Sequence, residues 1–245
     1  MFLTSPFFEA AKKQVLDTLF PMYCLGCQAK GTFVCDVCLG QLPIRLEQHC
    51  PACLRHITPY GQVCFSCRDT IAPALDGLFV ASYYHDSILP HVIHTFKYRF
   101  IPEIALPLGR FLVSTLEKSA LPLPDIIVPV PLHPRRLRFR GFNQSALLAE
   151  ELAKQLTPGL DIPVLTNGIV RTRYTKPQMK TDSREERLAN LKNAFALSPE
   201  QNPVLTGKSV WLIDDVATTG TTLEECARVL KQAGAINVFG IVLAR

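Results

Sequence analysis

The spacing of apolar positions changes its rule near residue 70. Beyond it, short apolar runs alternate with stretches of helical periodicity. The segments DGLFVASYY (76–84), DIIVPV (125–130), IPVLTNGIVRT (162–172), VWLIDD (210–215) and NVFGIVLAR (237–245) read as strands. Helices are expected through about 101–118 and over GFNQSALLAEELAKQL (141–156), with Asn143 or Ser145 near its cap. REERLANLKNAF (184–195) reads as partly helical, and TTLEECARVLKQAGA (221–235) as an amphipathic helix stopped at Gly234. Strands alternating with helices predict an α/β fold over 71–245, a parallel sheet with helices on both faces.

Before residue 70 the pattern is different. Phe8, Ala11, Val15, Leu16, Leu19 and Phe20 recur at helical spacing, so 1–22 reads as an amphipathic helix ended by Pro21. Residues 23–70 are short segments with too few large apolar side chains for a core of their own. They are punctuated by cysteines, which changes the reading of what folds them.

Eight of the nine cysteines form four CxxC pairs: Cys24/Cys27, Cys35/Cys38, Cys50/Cys53 and Cys64/Cys67. The first residues are not a secretory signal, because lysines fall inside the apolar stretch and no small-residue cleavage site follows. Paired thiols in that setting are metal ligands, and a cytoplasmic protein follows. Each pair places two thiolates on one tight turn, and two turns complete a tetrahedral zinc site. Sequential pairing gives two zinc ribbons in tandem; a cross-braced arrangement, first pair with third and second with fourth, is also open. Two zinc ions would supply the missing folding energy. No βαβ pattern surrounds any pair, which argues against a thioredoxin-like redox motif. His49 and His56 are left out as ligands.

Composition is that of an ordinary folded domain, and no apolar run approaches the roughly eighteen residues of a membrane span. The formal net charge of +5 is mild, but HPRRLRFRGF (133–142) carries four arginines and no acid. A charge excess on one loop points to an anionic ligand there.

The densest chemistry is VWLIDDVATTGTT (210–222). An apolar strand ends in Asp214 and Asp215, and a small hydroxylic loop around Gly220 opens the next helix. Such a loop is a phosphate cradle. A P-loop reading fails, because the glycine required five positions before Gly207 is Asn202 and because this GKS precedes its strand. A response-regulator pocket is disfavoured by the late position of the acids.

The acidic motif resembles the PRPP-binding motif of type I phosphoribosyltransferases. Together with PVPLHPRRLRFRGFNQS (129–145), RTRYTKPQMKTDSREERLANLKNAF (171–195) and the preceding CxxC pairs, in this order, it resembles the ComF family of ComFC-like and GntX-like competence proteins. The resemblance covers nearly the whole chain; Met179 and Lys180 depart from it where a leucine is expected. It implies a type I phosphoribosyltransferase-like domain (71–245) preceded by a double zinc-ribbon domain (23–70). It also implies that Asp214 and Asp215 accept hydrogen bonds from the ribose 2′ and 3′ hydroxyls. The 5′-phosphate would then lie on Val216, Ala217, Thr218, Thr219, Gly220 and Thr221, at the positive end of the following helix. Pyrophosphate, with Mg2+, would meet arginines after the second strand. Arg140 is favoured, with Arg136 beside it, Arg135 and Arg138 as further candidates, and Lys97 as another phosphate contact. Residues 171–187 resemble a mobile loop that closes over the ligand.

Nothing in the sequence names an acceptor base, and the chain stops directly after its last strand, so a hood over the acceptor is expected from the zinc region or 71–125. Two functions are therefore open. One is a PRPP- or nucleotide-binding protein handling single-stranded DNA in transformation, with Phe139 and Phe142 stacking bases and competence-machinery proteins, such as a helicase, as partners. The other is an active phosphoribosyltransferase with an unknown acceptor in nucleotide salvage.

Overall fold

The structure is a computed structural model that describes residues 21–85, 87–157, 159, 161–173, 193–198 and 205–245. The expected amino-terminal helix, apart from its last two residues, lies outside them, as do 174–187 of the segment resembling a mobile loop.

Strands β1 (Gly77–Ser82), β2 (Ile126–Pro129), β5 (Ser209–Val216) and β6 (Asn237–Ala244) form one parallel sheet in the order β1-β6-β5-β2. The separate strands β3 (Ile169–Arg171) and β4 (Phe195–Leu197) pair antiparallel. In strand geometry, successive side chains point to opposite faces. Accordingly Trp211 and Ile213 of β5 enter one hydrophobic core, and Val210 and Leu212 enter the other. Phe79 and Ala81 against Leu78 and Val80 divide β1 in the same way. Both faces are covered, which is why these strands read as continuous apolar runs.

One face is covered by α3 (Leu89–Tyr98), α4 (Ala105–Leu116) and α6 (Gln144–Leu156), and the other by α7 (Thr221–Gln232). Asn143 caps α6 by accepting from the Ser145 amide at 3.2 Å. The expected parallel sheet and its flanking helices are therefore present, except that the expected strand over 162–172 is reduced to Ile169–Arg171, which pairs antiparallel with β4 outside the sheet. Among the described residues of the sheet domain, two helices were not expected. The first, α3, buries Leu89, Val92, Ile93 and Phe96, a legible i, i+3, i+4, i+7 stripe behind Pro90. The second, α5 (Pro134–Arg140), buries nothing. Its existence is local: the His133 ring accepts from the Arg135 amide, Pro134 opens the first turn, and Gly141 closes the last at φ 73°. Of the segment 184–195, read as partly helical, residues 184–192 lie outside the described residues, and Phe195 begins β4 and pairs with Arg171.

Before the sheet lie α1 (Asp36–Gly40) and α2 (Phe65–Thr70), each following a cysteine turn. The first cysteine segment shares a core with the sheet: Cys24, Val34, Cys38 and Leu42 join the cluster of α3 and α4. The chain between the two cysteine groups covers the exposed edge of β1. The Gln48 side-chain amide donates to Val80 O at 3.0 Å and accepts from Val80 N at 2.9 Å. Arg45 N reaches Ala81 O at 2.9 Å, and Val63 N reaches Asp76 O at 2.8 Å. An open edge would be a pairing hazard; here its polar groups are satisfied by the chain's own cysteine-rich segment.

Gly61 lies at this junction with φ 79°, and a Cβ there would run into the Leu78 carbonyl. Gly61→Ala is expected to destabilise by about 2–3 kcal/mol in urea unfolding, because both the conformation and the space are denied. Gly40→Ala, where a Cβ meets open space, is expected to be neutral in the same assay.

Candidate functional site: cysteine clusters and an acidic strand end

The cysteines gather sequentially: Cys24, Cys27, Cys35 and Cys38 form one group, and Cys50, Cys53, Cys64 and Cys67 the other. Of the two arrangements open from spacing, this is the tandem one. Within each group all sulfurs lie within 4.8 Å of one another. Cys27 and Cys35 Sγ are 3.6 Å apart, and Cys53 and Cys64 Sγ 3.9 Å. A tetrahedron with sulfur about 2.3 Å from its centre has edges of about 3.8 Å, so the donor sets fit zinc. Amides of Cys35, Cys38 and Cys64 point at the sulfurs of Cys24, Cys35 and Cys50 at 3.4, 3.5 and 3.3 Å, contacts that fix where the sulfurs lie. His56, set aside from sequence, has Nδ1 3.4 Å from Cys53 Sγ and so lies against the second cluster.

The other site forms where β5 leaves the sheet, at the carboxyl end of a parallel strand where such folds place ligands. Asp214 and Asp215 are consecutive, so their side chains leave opposite faces. Asp215, only 6 % exposed, meets Lys97 from α3, with Nζ 2.8 Å from Oδ1. Asp214 Oδ1 accepts from Ser145 Oγ at 2.9 Å and from the Asp215 amide at 2.9 Å. Burial and the neighbouring Asp215 charge push the Asp214 carboxyl up to about 7, against the opposing pull of Lys97. For Lys97, burial works to lower its pKa, but Asp215 and then Asp214 outweigh that and hold it above the ordinary lysine value.

Past the acids, the Ala217 amide bonds Ala244 O at 3.1 Å, keeping the chain in register to the sheet's end. Thr218 is exposed, while Thr219 and Thr221 turn their hydroxyls together at 2.8 Å. Gly220, at φ 76°, makes the left-handed turn that opens α7, and no side chain caps that helix. Its first amides therefore remain available to an anion beside the threonine hydroxyls. Val216 is half-buried at the rim of the same loop.

The arginines separate. Arg140 belongs to the site: NH1 donates to Gln144 Oε1 at 3.1 Å, NH2 to the Tyr98 hydroxyl at 3.4 Å, and its guanidinium lies 5.0 Å over the Tyr98 ring. It is also near enough to act on the Lys97 charge. Arg136 falls on the other flank, near Arg171, whose pKa is lowered first by burial and then by the Arg136 charge. Burial, then Arg171, Arg135, Arg136 and Arg138, hold His133 below the usual histidine range. Two cationic groups thus face the acids from different sides. Of the two phenylalanines expected to stack, Phe142 turns inward onto Phe96, with centroids 5.6 Å apart, and packs on the core. Phe139 is 68 % exposed and pairs instead with Phe100. Sequence reading missed Ser145, Gln144, Tyr98 and Phe100; recognising α3 as a helix would have set Tyr98 beside Lys97.

A model of the phosphoribosyl transferase domain matches residues 143–245. The chain is 32 % identical over 235 residues to competence protein F of Haemophilus influenzae, covering 92 % of this chain and 98 % of that one. It is 36 % identical over 209 residues to the DNA utilization protein YhgH of Escherichia coli, covering 84 % and 87 %. Competence protein ComFC of Bacillus subtilis is 30 % identical over 217 residues, covering 86 % and 84 %.

A carboxyl raised from an ordinary 3.8 to about 7 binds its proton more tightly folded than unfolded. Its stabilising contribution is complete below about pH 4 and is lost as pH rises through about 7. Asp214→Asn, which keeps an acceptor for Ser145, is expected to stabilise the ligand-free protein by about 1–3 kcal/mol at pH 8. It should also flatten the decline in melting temperature between pH 5 and pH 8.

Proposed function

The chain belongs to the ComF family, and from that premise we propose that its strand-end carboxylates and phosphate loop bind PRPP or a nucleotide, in a protein that handles single-stranded DNA during natural transformation. The observation that carries this reading is the continuity from Asp214 and Asp215 into the uncapped first turn of α7. A sugar diol donates hydrogen bonds to the carboxylates, while the phosphate takes amides and hydroxyls a few residues on, so like charges never meet. Ser145 and Lys97 orient and neutralise the acids that would otherwise repel an anionic ligand. Arg140, already fixed by Gln144 and Tyr98, is the counter-charge for a pyrophosphate or further phosphate. Arg136 would approach that ligand from the side of β3.

Mg2+ would enter with the ligand's own phosphates. Among the described residues, only the two cysteine groups gather donors suited to a metal cage, and Lys97 already engages Asp215. When bound, the ion would spread the charge of a leaving pyrophosphate. The cysteine groups would each hold one zinc ion, whose role is to fold the segment covering the edge of β1. Among the described residues no helix is long and apolar enough to cross a membrane, and reduced thiolates at metal sites suit the cytoplasm. The names of the relatives, competence protein and DNA utilization protein, support a role in DNA uptake, where single-stranded DNA and other competence proteins are the partners.

Two expected outcomes test this. Calorimetry in magnesium buffer should show PRPP or a nucleoside monophosphate binding, weakened ~10-fold or more by Asp215→Asn, whose amide is a weaker acceptor and leaves Lys97 without its counter-charge. Heat from neither ligand would overturn the site assignment, and steady pyrophosphate release with a base or amine would turn the reading to an active transferase. Elemental analysis should return two zinc per chain, falling by one in Cys27→Ser or Cys64→Ser.

A further inference from the structure

Helix α3 runs out through three consecutive exposed side chains, Tyr98, Arg99 and Phe100, and α5 sets Phe139, preceded by the exposed Arg138, beside Phe100. Phe100 is 56 % and Phe139 68 % exposed, with ring centroids 6.2 Å apart in an edge-on pair. Neither ring nor Tyr98 belongs to a core cluster, so folding does not account for them. Phe100 also has left-handed backbone, φ 57°, a conformation that opposes its own Cβ. The chain thus holds a large apolar ring in water, in a backbone conformation that propensity disfavours.

Charge decides what would cover these rings. The sequence of α5, PRRLRFR, has no acid, and the exposed Arg99 and Arg138 immediately precede the two rings along the chain. An apolar protein partner would leave those guanidiniums facing its apolar surface, whereas a strand of unpaired bases offers flat faces to rings and phosphates to arginines. The surface runs straight into the acidic site, since Lys97 precedes Tyr98 and Arg140 bonds the Tyr98 hydroxyl.

We propose that Tyr98, Arg99, Phe100, Arg138 and Phe139 form a stacking surface for single-stranded nucleic acid at the mouth of the nucleotide site. This rests on the strand-handling role proposed above and gives it a location. Bases stack on Phe100 and Phe139, and backbone phosphates meet Arg99 and Arg138. An interior deoxyribose has no free vicinal diol to offer Asp214 and Asp215, so the strand lies beside the nucleotide ligand and does not replace it. Arg140 stands between the two.

Fluorescence anisotropy with labelled oligothymidylate tests it on the full chain. The Phe100→Ala, Phe139→Ala double variant should lose about 10-fold in strand affinity, given the usual worth of base stacking. Its melting temperature and its calorimetric binding of nucleoside monophosphate should stay unchanged. Arg138→Ala should weaken binding and flatten its dependence on salt. Undiminished strand affinity in the double variant would overturn the surface while leaving the strand-handling role in place. Absence of strand binding by the unmodified protein at low salt would overturn that role as well. Equal affinity for a duplex of the same length, or variant-sensitive binding to phosphatidylglycerol vesicles in its place, would also overturn it.

Discussion

Asp214 and Asp215 set two negative charges on consecutive residues where a fully buried strand reaches the end of its sheet, and Lys97 is what makes that arrangement sustainable. Without the contact at 2.8 Å, Asp215 would be a nearly inaccessible carboxylate with a like charge beside it. With it, the Asp215 carboxylate has a cation against it, while burial and the neighbouring charge push the Asp214 carboxyl up to about 7. The pair then resembles many functional sites, where repulsion and desolvation are retained because the chemistry needs them. Its cost falls on the ligand-free protein, and in the proposed complex hydroxyls donating to the acids would relieve it.

That one contact explains the position of much else. Lys97 can reach β5 only because α3 packs its Leu89, Val92, Ile93 and Phe96 stripe onto the same face as Trp211 and Ile213. Ser145 reaches Asp214 because Asn143, bonded to Val130 O at 3.0 Å, fixes where α6 begins. Arg140 lies near Lys97 because Gly141 turns the chain between α5 and α6. Residues distant in sequence converge because three helix ends and one strand end meet at a single edge of the sheet.

The cysteine-rich segment does more than gather two donor sets suited to metal. Its side-chain amide at Gln48 and amides at Arg45 and Val63 occupy the open side of β1, and its first cluster contributes Cys24 and Cys38 to the main core. Metal held by these clusters would thereby be linked to the integrity of the sheet through shared burial. The Pro51–Ala52 turn of the second cluster also lines a cavity of about 220 Å³ with Thr219, Gly220 and Thr221, which sets the cysteine segment beside the loop that opens α7.

The amino-acid order alone determined the strands of the sheet, the tandem thiol turns and the acid-plus-glycine loop, since each is encoded within a few neighbouring residues whose type and spacing have one economical physical use. It also contained the stripe of α3, unread because Pro90 sits inside it and resembles a break until it is seen to open a helix. Helix α5 was not legible by periodicity, having no buried side, and formed from its caps. Which histidine meets a thiolate, which arginine joins the acids, and whether Phe139 pairs with Phe142 or with Phe100 were decided only in three dimensions. Those choices depend on where separate elements end relative to one another, and that is fixed by packing on a common sheet, for which no local stretch of sequence carries the coordinates.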